Sequence, residues 1–571
     1  MVGSDTSQPF VVTDSVYTWV RDAAIRYLGA QRSGDSSWFH GPSHMSDGSM
    51  DTVIGEVPGA NRGGWYDAGD YLKEPQTLAS TLVHLATFAA MHPDRDPDHW
   101  GAIHTAKAPL DGMGDLWKEA RFGAEFFLRS WKRNGRSTGT DTARHLTGMV
   151  TGIGDFGKDH SNWTLADLDE SFNGTGPRTV RRELGANTIA DVAASLAFLS
   201  RLARPADSVW ADTALMAAKE MYSFAKSHLV VVSSPAYNGV SPDNLGANLG
   251  LAATALWWAT NDTSYLDDAV YNKTIGTHGQ ASSLPHSSFE GGWFVRSNPN
   301  LTKGSGNQDW ANRHSLALHA FARIRLDAPS AASIGIKSEA ERQLLLTRAV
   351  AGMQSNLASL SNGAKGSFSL PNLESGNSMD NVGGDTTWGL LVIQQVWVAG
   401  EYYAANAAEL LMYADIARDL NAGKGGASLG GGNFPADAAT SLALRQMDFF
   451  LGQNLADASF VMGIGGRNPH HPHHRGSTDE GSWSTRYAYR VLVGALIGGP
   501  GPTETTFTDD FSDYTHTETT IDASGRILSS KKVQSDEKGI ASAEFDRHGS
   551  GLLVVRMRAT GSQTSRTFVT P

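Results

Sequence analysis

The sequence predicts an all-α fold, a toroid of helical hairpins, followed by a small C-terminal β module. Three observations carry this expectation. Stretches with apolar residues at helical spacing alternate with Gly-, Asn- and Pro-rich loops. Strand-like alternation is scarce before residue 522. The connecting segments are long and carry polar clusters, which suits a toroid better than a bundle with short turns.

The helical pattern falls on 13–31, 75–91, 113–132, 187–203, 208–228, 245–260, 312–326, 337–358, 401–420, 436–451 and 484–496. Thr13, Asp14 and Ser15 before Val16, and Asn187 and Thr188 before Ile189, have the chemistry of helix N-caps. Beyond residue 522 the pattern changes to short β segments at Arg526–Val533, Ala541–Phe545, Leu552–Met557 and Ser565–Val569, separated by Gly-bearing turns. The expected division is a large helical unit over 10–521 and a β-rich module over 522–571.

Composition narrows the function classes. With 571 residues, the chain can bury one large core and still carry an appendage. A 40% apolar and 19% charged composition is that of a globular protein. No run approaches the roughly 18 apolar residues of a membrane span. The net charge of −12 and the lack of a Lys/Arg-rich run argue against nucleic acid as a partner. There are no cysteines, which excludes disulfides, thiolate metal sites and thiol nucleophiles. The first residues, Met1-Val2-Gly3-Ser4, lack the basic and apolar regions of a signal peptide, as expected of a cytosolic protein or the mature form of an exported one.

Three clusters carry chemistry. The first is Gly63-Gly64-Trp65-Tyr66-Asp67-Ala68-Gly69-Asp70-Tyr71. Two Asp three residues apart in a Gly-bearing loop can share one side of a tight turn and hold a water between them. A capped turn or a Ca²⁺ loop has the same bare pattern. The second is Gly465 to Arg475, with His470, His471, His473 and His474 around Pro472. Proline stiffens the run, so four converging metal ligands are not expected there. The third is the acid-rich stretch from Gly498 to Glu518.

Gly63 to Asp70 resembles the signature of glycoside hydrolase family 9, the family of many bacterial and plant cellulases. Leu251 to Leu266, Tyr403 to Asp415 and Gln446 to Asn454 continue the resemblance in the family's order, so that it covers about residues 13–522. It implies an (α/α)6 barrel and an inverting endo-β-1,4-glucanase acting on cellulose and related glucans. Asp70 is then the general base, Asp67 helps to hold the water, and Glu518 is the general acid. His473 and Arg475 fall where the family contacts sugar hydroxyls. Phe507, Asp509, Tyr514 and Glu518 fill its second signature, which adds Asp509 and Tyr514 to the substrate contacts; Glu504 falls in a variable stretch and receives no role. Trp65 and Tyr66, beside the Asp pair, are the aromatic side chains expected to touch sugar, with Trp257, Trp258, Trp293, Trp310 and Trp388 as further platforms or core.

The resemblance implies no required cofactor, and it leaves room for structural calcium on surface loops. Some bacterial members bind zinc through Cys at the places of Ser33 and Ser43; serine is a poor zinc ligand, so no zinc is expected and His44 becomes a packed or hydrogen-bonded core residue. Ser524 stands where the family has an Asn in its last barrel helix, and the β-like tail begins almost at once. That tail weakly resembles bacterial type IX sorting modules, which implies a secreted bacterial protein. A monomer is expected, with β-1,4-glucan as its partner and neither membrane nor nucleic acid. An exo-acting cellodextrinase, a glucosaminidase and a catalytically weak glucan-binding homologue are the alternatives that the residues leave open.

Overall fold

The structure is a computed structural model. It describes residues 16–100, 110–134, 146–172, 177–232, 244–276, 291–297, 310–360, 399–426, 435–452, 459–476, 492–496, 516–521 and 527–533, apart from positions 36, 54, 162, 466, 467, 470, 471 and 473. The main helices are α1 (Val16–Ala30), α2 (Pro75–Met91), α3 (Asp115–Arg133), α4 (Ala186–Ala203), α5 (Ser208–Ser227), α6 (Leu245–Thr260), α7 (Thr263–Val270), α8 (His314–Asp327), α9 (Glu339–Leu360), α10 (Ala399–Asn421) and α11 (Ala436–Phe450).

The helices sort into layers by their side chains. α4 and α6 are rich in Ala and Leu and are buried almost all round, which a helix tolerates only inside a larger core. α2 packs on α4, α4 on α6, α6 on α8, and α8 on both α10 and α2. α3, α5, α9 and α11 lie against this inner set. α3 shows the outer type, with Ala120, Ala124, Phe127 and Trp131 buried along a helix that also carries Lys132 and Arg133 in its last turn.

Helix ends follow local chemistry. Asp207 accepts a hydrogen bond from the Trp210 N–H (3.0 Å) and starts α5. Asn261 adopts φ +57° to stop α6, and Asp262 then caps α7 through the Ser264 N–H (2.9 Å). Ten of the eleven expected helices coincide with these elements within a few residues. The last does not: Leu492–Leu496 make a turn at Gly494 and a bridge from Leu496 to Val461, while 484–491 lie outside the described residues. Asn187 is no N-cap either. Gly185 occupies the cap position, and the Asn187 amide bonds both the N–H and the carbonyl of Val232 (3.2 and 3.3 Å). Thr13, Asp14 and Ser15 lie outside the described residues.

Strands are few among the described residues. β1 (Gly152–Ile153) pairs with β2 (Val180–Arg181), and β3 (His516–Ile521) pairs antiparallel with β4 (Ile527–Val533). Glu518 therefore sits on a strand opposite Lys531, and the expected module boundary at 522 lies outside the described residues. The later β segments, from Ala541 onward, lie outside the described residues.

One buried ionic cluster ties the loops above α2. Asp47 receives Lys73 Nζ (2.5 Å) and Arg178 Nη2 and Nε (2.7 and 2.9 Å), with all three side chains inaccessible or nearly so. Burial alone would push the Asp47 carboxyl up, but Arg178 and Lys73 outweigh it and hold it well below the usual range. The same burial lowers the Lys73 ammonium to about 8 in spite of Asp47. Because the folded-state pKa of Asp47 is depressed, its stabilising effect is present above the unfolded carboxyl pKa of ~3.9 and lost as pH falls below it. Asp47→Ala strands two buried cations; an urea titration at neutral pH should show a loss of about 3–5 kcal/mol, and a loss under 1 kcal/mol would contradict this role.

Candidate active site

Backbone pairing fixes the loop that carries the two Asp. Arg32 and Trp65 form an antiparallel bridge, Tyr66 N–H donates to the Gln31 carbonyl (2.8 Å), and Ser33 N–H donates to Gly64 (2.9 Å). Gly63 and Gly64 take φ +88° and +74°, a region that glycine enters without a Cβ penalty. Asp67 N–H donates to the Leu72 carbonyl (2.8 Å), closing a loop with Asp70 at its turn. Leu72 N–H donates to Asp70 Oδ1 (3.1 Å), and Lys73 then pairs in both directions with Ile153 (2.9 and 3.0 Å). Arg178 Nη1 donates to the Tyr71 carbonyl, so the Asp47 cluster grips this loop from below.

The carboxylates differ in surroundings. Thr77 Oγ1, in the first turn of α2, donates to Asp67 Oδ1. Asp70 faces His160 Nε2 at 3.4 Å, and His160 Nδ1 lies 3.5 Å from Asp159. Arg475 reaches Asp159 through Nη2 (2.9 Å) and donates its backbone N–H to Gly69 (2.9 Å), which brings the second sequence cluster onto the first. Burial, followed by the charges of Asp67 and Asp159, pushes the Asp70 carboxyl well above the usual range; Arg475 and the Leu72 N–H oppose it only in part. Burial also raises Asp159, against the pull of Arg475 and Arg178. Asp70 is thus a carboxyl whose proton affinity is tuned upward while it remains partly accessible to water.

The structure brings Asp67, Asp70 and Arg475 together. His473, Asp509 and Tyr514 lie outside the described residues, and only the strand backbone of Glu518 is described. Two expectations are corrected. Trp65 is 3% exposed, its Nε1 donates to Glu119 (2.6 Å), and its ring fills the space over Gly123, where a Cβ would stand 2.0 Å from the indole. Tyr66 is equally buried, its hydroxyl bonded to Ser43 Oγ and His44 Nδ1 (2.6 Å each). Both rings hold the loop from inside and present no face to a sugar. Trp257 and Trp293 are likewise core, bonded to the Ile334 carbonyl and the Tyr222 hydroxyl (2.9 Å each). Trp258 and Trp310 are half-buried, and Trp388 lies outside the described residues.

Sequence reasoning missed Asp159 and His160. Asp159 ends a single helical turn (Phe156–Asp159) after a two-residue strand and His160 caps it; the turn is too short for any periodicity, and an adjacent Asp-His pair is unremarkable by itself. It also missed His474, which is buried and bonds Gln31 Oε1 (2.7 Å) while accepting the Gly476 N–H (3.0 Å). Asp70, Asp159 and His160 form one of three groups among the described residues whose ligand-type atoms lie within 4.8 Å of one another; the others are His92, His319 and Asp415, and Asp22, His99 and Asp115. In the first group the Arg475 guanidinium already neutralises Asp159.

Comparison with known proteins adds to this geometry. The sequence profile of Glycosyl hydrolase family 9 matches residues 17–528. Endoglucanase B of Cellulomonas fimi is 25% identical over 92% of this chain, which spans 42% of that protein's length. Endoglucanase 1 of Persea americana is also 25% identical, over 89% of this chain and 90% of its own. Among solved structures, the catalytic domain of Clostridium thermocellum CelT superposes with a TM-score of 0.60 at 19% identity, covering 87% of this chain and 92% of that one. Endoglucanase CelQ of Clostridium thermocellum complexed with cellotriose gives 0.57 at 22% identity, covering 87% and 67%. These likenesses show the fold, the (α/α)6 barrel of such enzymes.

The raised pKa of Asp70 has a consequence for stability. Its folded-state value exceeds the unfolded ~3.9, so its contribution is fully present below that pH and is lost as pH rises through the folded value. Asp70→Asn should therefore melt at a higher temperature than the wild-type protein near pH 7, with the gain vanishing near pH 3. Calorimetric scans at the two pH values check this, and an equal difference at both would contradict it.

Proposed function

Since the chain belongs to glycosyl hydrolase family 9, we propose that it is an inverting endo-β-1,4-glucanase that hydrolyses cellulose and related glucans with water as the nucleophile. The observation that carries this reading is the partly accessible carboxyl of Asp70, placed beside Asp67 on an anchored loop and raised in proton affinity, with Arg475 held nearby through Asp159 and Gly69. Glycosidic cleavage by inversion needs a base aimed at a water on one face of the sugar and an acid at the leaving oxygen, roughly 6.5–9.5 Å apart. Asp70 takes the water's proton, Asp67 fixes the water's second hydrogen, and Glu518 protonates the departing oxygen. The water oxygen bonds to the anomeric carbon as the C–O bond breaks, and the configuration inverts. A base with raised pKa abstracts a proton more readily once it is ionised.

The second cluster serves binding in this reading. Arg475 is buried, paired with Asp159 and placed beside Tyr71 and Trp163, and it organises the loop of the two Asp more than it reaches into solvent. His473, Asp509 and Tyr514 are proposed to contact sugar hydroxyls on the basis of the motif alone. The chemistry requires no cofactor. Structural calcium on surface loops is compatible with it. We propose that zinc is not bound at Ser33 and Ser43, because hydroxyls are poor zinc ligands and His44 uses both ring nitrogens within the protein, on Tyr66 and on Asp169 (3.0 Å). Burial and the Arg178 charge push His44 down to about 4, so it stands neutral in that network. A secreted, monomeric enzyme whose partner is the polysaccharide completes the proposal; no described helix is long and apolar enough to cross a membrane.

Glu518→Gln removes the proton donor while leaving its size unchanged. Turnover of carboxymethyl cellulose should fall by at least ~10²–10⁴-fold, the range for a general acid. Unchanged turnover would remove Glu518 from the mechanism.

A further inference from the structure

Beside the loop of the two Asp, the N-terminal ends of the inner helices enclose a small polar well. It is lined by Gln76 of α2, Asn187, Thr188 and Asp191 of α4, Asn248 of α6, and Trp310 with Ala311 before α8. Three buried polar atoms in its wall have no hydrogen-bond partner among the described residues: Gln76 Oε1, Thr188 Oγ1 and Asn248 Oδ1. Such atoms are rare in folded proteins and lower stability unless something fills the space beside them.

The wall defines the occupant. Gln76 Nε2 donates to the Val232 carbonyl (3.2 Å), and Asn248 Nδ2 donates to Asp191 Oδ1 (2.7 Å). Those bonds fix both amides, so the free atoms are carbonyl oxygens, which only accept. Asp191 Oδ2 takes Arg313 Nε (3.0 Å), which leaves the carboxylate fully engaged and its charge balanced. The free oxygens disfavour an anion, and the Arg313 guanidinium, which already meets the Asp191 charge, disfavours a cation. The well suits a neutral hydrogen-bond donor that can also accept, and it has room for one such group rather than a whole pyranose ring.

Its position matters as much as its chemistry. Gln76 and Thr77 are consecutive in the first turn of α2 and point about 100° apart. Thr77 bonds Asp67, whereas Gln76 faces the well. The well thus lies one residue along α2 from the partner of Asp67, at the same end of the barrel as the carboxylate pair.

We propose that this well is a specificity subsite which receives the hydroxymethyl group of one glucosyl unit of the bound chain. The inference rests on the glucanase reading above. The C6 hydroxyl donates to Gln76 Oε1 or Asn248 Oδ1 and accepts from Thr188 Oγ1, satisfying groups that a pentose-based chain leaves bare. A site built to bond a hydroxyl discriminates strongly against an analogue that lacks it.

The test measures kcat/KM for cellotetraose and for xylotetraose, which has the same β-1,4 backbone without hydroxymethyl groups. Wild type is compared with Thr188→Val and, separately, with Gln76→Met, so that one misfolded variant does not decide the matter. The cellotetraose preference should fall about tenfold in each variant, the effect of one lost hydrogen bond. A preference unchanged in both would overturn the proposal, as would a cellotetraose complex in which the well holds only water. Calorimetric titration with the same two oligosaccharides gives the same ratio without turnover. If wild type cleaves neither, the glucanase reading fails, and the binding ratio still decides on the well: a tenfold fall supports it and an unchanged ratio or absent binding overturns it.

Discussion

A buried carboxylate held between two cations underlies the rest of the molecule. Asp47 cannot stay ionised in the interior without Lys73 and Arg178, and neither cation can stay there without Asp47. Lys73 belongs to the strand-like end of the loop that carries Asp67 and Asp70, and Arg178 belongs to the segment leading into β2. The triad therefore fixes the distance between the loop above α2 and the β1–β2 pair. Arg178 adds a bond to the Tyr71 carbonyl, and Lys73 one to the Asn61 carbonyl (3.3 Å). A loop so anchored can hold a carboxylate in an unfavourable place.

Asp70 occupies such a place. Its neighbours include two other carboxylates, and only part of its repulsion is relieved by Arg475 through Asp159. Stability is given up locally for proton affinity, and the packed rings of Trp65, Tyr66 and Tyr71 beneath the loop offset that cost by removing apolar surface from water, at roughly 1.5–3 kcal/mol for a large side chain. The aromatic residues of the signature act through rigidity rather than through contact with sugar. The same division holds in the second cluster, where buried His474 and Arg475 tie their loop to Gln31, Gly69 and Asp159.

The helical architecture was legible because periodicity reports burial, and burial builds the barrel. α4 and α6 read clearly since their Ala and Leu fill whole turns. The end of the segment 484–496 misled because Leu492 to Leu496 is apolar like a helix, whereas Gly494 at φ +91° turns the chain there. Asn187 misled because capping chemistry and a tertiary bond to Val232 use the same side-chain atoms. The loop of Asp67 and Asp70 was legible as a candidate site because a motif compresses its residues into adjacent positions. Asp159 and His160 were not, because their meaning comes from a contact across about 90 residues that no local pattern encodes. Trp65 and Tyr66 were misread since proximity in sequence to a carboxylate says nothing about which way a ring points.

The central claim is that the pair of Asp67 and Asp70 activates water for a single displacement on a glucan. Proton NMR during hydrolysis of cellopentaose tests it most directly, since the anomeric signals show both the configuration of the first product and the bond that broke. The account predicts that the α-anomer appears first, from internal bonds. Early β-anomer would mean retention of configuration and a covalent step, and would contradict the water-holding roles of Asp67 and Asp70.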